Sequence, residues 1–119
     1  MKRDIQTKKD IEELIYAFYG ELLKIERMKE IFKNINFENH VPNIVHFWSF
    51  VLLDEEGYKT NVYDKHVHLP ILKPDFDTWL EVFTASVDKL FAGEKAEMAK
   101  QRATVLSYTF KSKWVEKPL

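Results

Sequence analysis

Cysteine is missing from all 119 residues. Its absence excludes disulfides, thiolate metal sites, iron–sulfur clusters and cysteine nucleophiles together, and it fits a reducing compartment. Any metal must therefore sit on nitrogen or oxygen. No run approaches the roughly 20 apolar residues that a membrane-spanning helix needs. Behind the charged start Met1-Lys2-Arg3-Asp4 there is no apolar stretch of the signal-peptide kind. The expected location is the cytoplasm. Basic charge is not in excess either: 18 Lys and Arg stand against 19 Asp and Glu, for a formal net charge of -1. Nucleic acid is thus a poor first partner. Sustained apolar–polar alternation, internal repeats and low-complexity tracts are all lacking, which argues against strand-built and repeat architectures.

What remains is a chain of the size of one domain, expected to span residues 1–119 with a single core. Aromatics make up 14%, and a large flat ligand or a dense aromatic core would use them equally well. The periodicity is helical. Ile11, Leu14, Ile15, Phe18, Tyr19, Leu22 and Leu23 recur at helix spacing, and Thr7 with Asp10 resembles a capping box. Residues Arg27 to Asn34 suggest a short turn of helix carrying Ile31 and Phe32. A further helix is expected from His40 to about Leu53, with Asn39 as N-cap and Pro42 in its first turn. A polar connection over 54–61 follows, and Pro70 and Pro74 punctuate the chain. Asp75 reads as the N-cap of a long helix through Phe76, Trp79, Leu80, Phe83, Val87, Leu90 and Phe91, ended by Gly93 as a C-cap. The last helix is expected from Glu94 to Lys113. The fold should be all-α, and periodicity alone does not separate a four-helix bundle from a shortened globin.

Histidines are the candidate metal ligands. His66 lies in Tyr63-Asp64-Lys65-His66-Val67-His68-Leu69-Pro70, just ahead of the aromatic helix carrying Trp79. With His40 and the Phe18-Tyr19 pair, it outlines a pocket for a flat apolar ligand with a metal at its centre, and haem fits that description. Steps of four and three residues put His40, Ile44 and Phe47 on one helix face, whereas His46 falls elsewhere and reads as packing or surface. Leu69, Pro70 and Ile71 are placed to pack beneath a ring held by His66. Zinc on His66, His68 and Asp64 is an alternative that lacks a further ligand. Taken singly, each residue also has a plain structural reading: Tyr19 and Trp79 as core aromatics, His66 as a surface residue of a turn.

Taken in order, Asp10-Ile11 with Phe18-Tyr19, Ile31-Phe32, His40, Phe47-Trp48 with Leu52-Leu53, His66 with Leu69-Pro70, Trp79-Leu80 with Phe83, and Arg102-Ala103 form a longer pattern. That pattern resembles the truncated haemoglobins, specifically the third group of bacterial forms. The resemblance implies a globin-like two-over-two α-helical sandwich around haem b, with His66 as the proximal iron ligand. It implies Tyr19, His40 and Trp79 on the distal side, and Phe18, Phe32, Ile44, Phe47 and Trp48 on or near the macrocycle. Neutral imidazole suits haem iron, and hydroxyl and indole N–H donors suit a dioxygen ligand bearing partial negative charge. The sequence departs from many relatives at Lys59-Thr60-Asn61-Val62, where they carry Gly and Pro, and at Glu30 and Thr78. Lys59 and Lys65 are the candidate partners for the haem propionates.

The expected function is reversible binding of dioxygen, carbon monoxide and nitric oxide at ferrous haem iron. A second reading uses the same residues for nitric oxide dioxygenation or peroxidase-like chemistry, with an external reductase as electron donor. A third is a cofactor-free helical interaction module in which every one of these aromatics is core.

Overall fold

The computed structural model describes residues 2–56 and 69–114, and these contain helices and no strand. Helix α1 covers Lys8–Leu22, α2 Glu26–Ile31, α3 Phe37–Leu53, α4 Lys73–Leu90 and α5 Glu94–Lys113. The capping box is present at the start of α1. Thr7 Oγ1 accepts the Asp10 amide at 3.2 Å, and the Asp10 carboxylate accepts the Thr7 amide at 3.0 Å.

Helix α2 ends at Ile31 rather than Asn34, with a turn over 32–34, and three further boundaries, in α3 and α4, differ from the sequence-based expectation for a physical reason. Helix α3 begins three residues early, because Asn36 rather than Asn39 caps it: the Asn36 carbonyl accepts the amides of Asn39 and His40 at 3.2 and 3.0 Å. The extra turn lets the Phe37 ring pack on Tyr19, at 5.0 Å between centroids, and moves Pro42 out of the first turn into the helix interior. Helix α4 starts at Lys73, with Pro74 in its first turn, where the missing N–H costs nothing. Asp75 is therefore not the N-cap residue; its carboxylate reaches back to the Leu72 amide at 2.8 Å. Gly93 does not close α4, which ends at Leu90, but stands at the N-cap of α5 with φ 140°. L-residues rarely adopt that conformation, and the space a Cβ would fill is taken by Asp4, whose Cγ lies 2.5 Å from the ideal Cβ position.

Helices α1 and α3 pack together, as do α4 and α5, and α1 crosses α4 to join the two pairs. The apolar stripe of α1, from Ile11 through Leu14, Ile15, Phe18 and Leu22, is buried along its whole length. On α5 the buried face is Ala96, Ala99, Ala103 and Ser107. Such small side chains let α4 come close, and the larger rings of α4 fill the space between. Phe83 is fully buried at the centre, stacked between Trp79 at 5.5 Å and Trp48 at 4.9 Å. Burying one such side chain stabilises the fold by about 1.5–3 kcal/mol.

The N-terminal arm closes the far end of the molecule. Ile5 is buried in the core, and the Asp4 carboxylate accepts the amides of Lys95 and Ala96, both at 2.9 Å. Asp4 thus caps α5 from 91 residues away, since Gly93 has no side chain to do so. Arg3 grips the Asp10 carboxylate through both terminal nitrogens.

Candidate functional site

At the opposite end, α1, α2, α3, α4 and α5 surround a cavity of about 320 Å³. That volume lies within the range of ordinary ligand pockets. Its position follows from the helix pattern. Phe18 and Tyr19, adjacent on α1, turn their rings to it at 4.9 Å from one another, tilted by 57°. His40, Ile44 and Phe47 reach it from one face of α3, the face their spacing predicts, and Trp48 joins them. Trp79 enters from α4, edge-on to Phe18 at 5.9 Å. Phe32 comes from the end of α2, and Leu69 and Ile71 from the segment that precedes α4. Ten expected site residues therefore line one cavity: Phe18, Tyr19, Phe32, His40, Ile44, Phe47, Trp48, Leu69, Ile71 and Trp79.

His66 lies outside the described residues, as do His68, Asp64, Lys59 and Lys65, so the proximal ligand, the zinc alternative and the propionate partners all fall there. Among the described residues no cluster of three or more His, Asp or Glu could hold a metal ion. His46 is half-buried away from the cavity, with Nε2 3.5 Å from the Glu56 carbonyl.

The cavity is overwhelmingly apolar, and inside it the Tyr19 hydroxyl meets His40 Nε2 at 3.2 Å. Both rings pack against Phe37, at 5.0 and 6.0 Å. Burial pushes the Tyr19 phenol above its ordinary pKa, so it stays protonated throughout the physiological range. Two hydrogen-bond arrangements serve the pair. With the proton on Nδ1 of His40, Tyr19 donates to Nε2; with the proton on Nε2, His40 donates and the phenol O–H turns to the cavity. The indole of Trp79 adds an N–H, which can only donate. Chemically, this is a largely apolar, aromatic-walled space that holds one polar pair, Tyr19 and His40.

Other wall residues escaped the sequence reading as site residues. Met28 and Ile35 flank Ile31 and Phe32, and Phe76, Leu106 and Phe110 close the side made by α4 and α5. The signal for the first group was present: residues 28, 31, 32 and 35 fall at the i, i+3, i+4, i+7 spacing of one helix face. Phe76, Leu106 and Phe110 carry no mark in sequence that separates a cavity wall from a core.

No protein-family model matches the chain. The group 3 truncated hemoglobin ctb of Campylobacter jejuni is 27% identical over 119 residues, covering 94% of each chain. The crystal structure of the group III truncated hemoglobin from Campylobacter jejuni superposes with a TM-score of 0.86 at 26% identity. That match covers 97% of this chain and 96% of the other. Likeness of sequence and of fold thus run over nearly the whole length together, and the chain is similar in both to the group III truncated haemoglobins.

Proposed function

We propose that the protein binds haem b in this cavity, with His66 as iron ligand, and that its function is to hold dioxygen and other small diatomic molecules, carbon monoxide and nitric oxide among them. The observation that carries the reading is the Tyr19–His40 pair, 3.2 Å apart inside a largely apolar, aromatic-walled cavity. The residues present fit the group. Flat apolar walls from Phe18, Phe32, Ile44, Phe47 and Trp48 suit the faces of a macrocycle, and Asn43, exposed at the cavity edge, offers an amide there. When bound, haem would supply an iron able to take a diatomic molecule.

The chain's own contribution is positioning and polarity. Tyr19 offers an O–H that burial keeps neutral, so no phenolate opposes a guest with partial negative charge. His40 fixes the phenol oxygen, and its tautomer decides whether the phenol proton points toward His40 or into the cavity. Trp79, held by stacking on Phe83, lines the same cavity and carries an indole N–H that can donate. A largely apolar lining lowers the local polarity, which strengthens the Tyr19–His40 hydrogen bond.

Absorption spectra of the haem-supplied protein, ferric and then reduced under argon and carbon monoxide, test the reading beside His66→Ala. The expected result is a Soret band that shifts with carbon monoxide in the parent and is altered or lost in the variant. Failure of the parent to take up stoichiometric haem overturns it. Unchanged haem affinity and axial spectrum in His66→Ala overturn the ligand assignment.

A further inference from the structure

The segment leading into α4 is held at three successive residues by three different elements. Arg27, on α2, donates from Nη2 to the Pro70 carbonyl at 3.0 Å. Trp114, at the end of α5, donates its indole N–H to the Ile71 carbonyl at 2.7 Å. Asp75, in the first turn of α4, accepts the Leu72 amide at 2.8 Å and pairs with Arg27, Nη2 to Oδ2 at 2.8 Å and Nε to Oδ1 at 3.3 Å. A short stretch of irregular chain commonly leaves such groups to water. Here two of the three clamps come from 43 residues away in sequence.

What the clamps hold is the cavity wall. Leu69 and Ile71 both line it, on either side of the Pro70 carbonyl that Arg27 takes. Trp114 does not line the cavity. It is buried behind it, with its ring edge-on to Phe76 at 5.1 Å, and Phe76 does line it. Arg27 likewise stays outside, next in sequence to the wall residue Met28. We infer that Trp114 and Arg27 are positioning residues that hold the Leu69–Ile71 wall in its haem-retaining arrangement. The inference rests on the haem reading above.

The physical argument is one of pre-organisation. A wall already fixed by hydrogen bonds loses little freedom when a ligand arrives, and a ligand leaving past it must first break those bonds. Trp114 should matter more than Arg27. Its bond is buried, and removing the donor leaves the Ile71 carbonyl without that partner, whereas the Arg27 side chain is 43% exposed and water replaces part of what it gives.

Trp114→Phe, which keeps a ring against Phe76 but removes the N–H, is compared with Arg27→Met and Arg27→Lys in the full chain. Residue-resolved amide exchange at Leu69, Ile71 and Leu72 is followed without haem. Haem transfer to an excess of a haem-scavenging apoprotein is followed on loaded protein, together with the iron–histidine stretching band of the reduced form. In Trp114→Phe the three amides should exchange faster, the stretching band should shift or broaden, and haem should leave about fivefold to tenfold faster, the scale of one lost hydrogen bond. Arg27→Met should do the same to a smaller degree, and Arg27→Lys should recover part of it. Arg27 is at the surface, so Arg27→Met carries the test if Trp114→Phe does not fold. Faster amide exchange with unchanged haem loss and an unchanged band overturns the inference and leaves the haem reading standing. Unchanged amide exchange overturns the clamp itself. A parent that takes up no haem overturns both.

Discussion

Two polar clusters sit at opposite ends of the apolar core, and they are built on opposite plans. At the N-terminal end Asp10 receives two bonds from Arg3 and one each from the amides of Gln6 and Thr7, while Asp4 receives the amides of Ile5, Lys95 and Ala96. Each carboxylate has its charge matched by donors of this chain, and the cluster has nothing left for a guest. At the cavity end the Tyr19 hydroxyl meets His40 amid the rings of Phe18, Phe32 and Phe37. A hydroxyl has one donor and two acceptor sites, so that single bond leaves capacity for something else. A saturated cluster stabilises a fold. A partly used one, in a largely apolar cavity, is suited to a ligand.

The largest expected effect comes from breaking the saturated cluster at its tightest point. Gly93→Ala forces a Cβ onto a backbone at φ 140° and into Asp4, which is the cap of α5. Strain and the lost cap together should cost about 2–4 kcal/mol, read as a lower denaturant midpoint with an unchanged slope. A stability equal to that of the parent would mean that the arm does not sit on α5 as described.

Asp10 comes next, and it sharpens the contrast through pH. The Arg3 guanidinium hydrogen bonds, more than the backbone amides, hold Asp10 well below the usual carboxylate range, against the opposing effect of burial. Burial opposes the charge on Asp4 as well, yet the amides of Lys95, Ala96 and Ile5 win and lower its pKa. A carboxylate with a depressed folded pKa contributes stability above its unfolded value near 3.9 and loses it as pH falls through the folded one. The N-terminal end should therefore weaken progressively below about pH 5. Tyr19 has the opposite sign: with its folded pKa raised, its contribution is complete below the unfolded value near 10 and is lost as pH rises beyond it. Asp10→Asn should flatten the acid limb of the stability profile and lower stability at neutral pH by about 2 kcal/mol. An acid limb as steep as the parent's would remove Asp10 from that account.

Local patterns in the sequence were enough for features that close on themselves within a few residues. Thr7 and Asp10 cap α1 across three positions, Glu94 and Lys113 bound α5, and His40, Ile44 and Phe47 share a face because helix geometry alone decides it. Features decided by distant partners were not legible. Gly93 after a helical run looks like a C-cap, and only the presence of Asp4 in the space beside it makes it the start of the next helix. Asn36 and Asn39 are equivalent caps in sequence, and packing of Phe37 on Tyr19 goes with the first. The Arg27–Asp75 and Trp114–Ile71 contacts span 48 and 43 residues, beyond the reach of any periodicity. The likeness to truncated haemoglobins drew these distant pieces together, because an ordered set of motifs carries the fold's long-range contacts implicitly.

The smallest free-energy change in the comparison is expected at the cavity, and it should appear in ligand kinetics rather than in stability. Tyr19→Phe keeps the ring on Phe18 and Phe37 and removes a hydroxyl whose partner is His40. Little folding energy is at stake, since a buried phenol gives up a neutral hydrogen bond and regains apolar surface. On the haem-loaded protein, however, the donor proposed for the guest is lost. Oxygen release should quicken by roughly threefold to tenfold, the range that a single hydrogen bond spans. Trp79→Phe should act in the same direction, with an added stability loss because the indole also stacks on Phe83 at the centre of the core. Stopped-flow displacement of oxygen by carbon monoxide separates the two. If Tyr19→Phe lowers stability as much as Gly93→Ala and leaves release unchanged, the contrast between the two clusters fails, and the Tyr19–His40 pair is structural like the other.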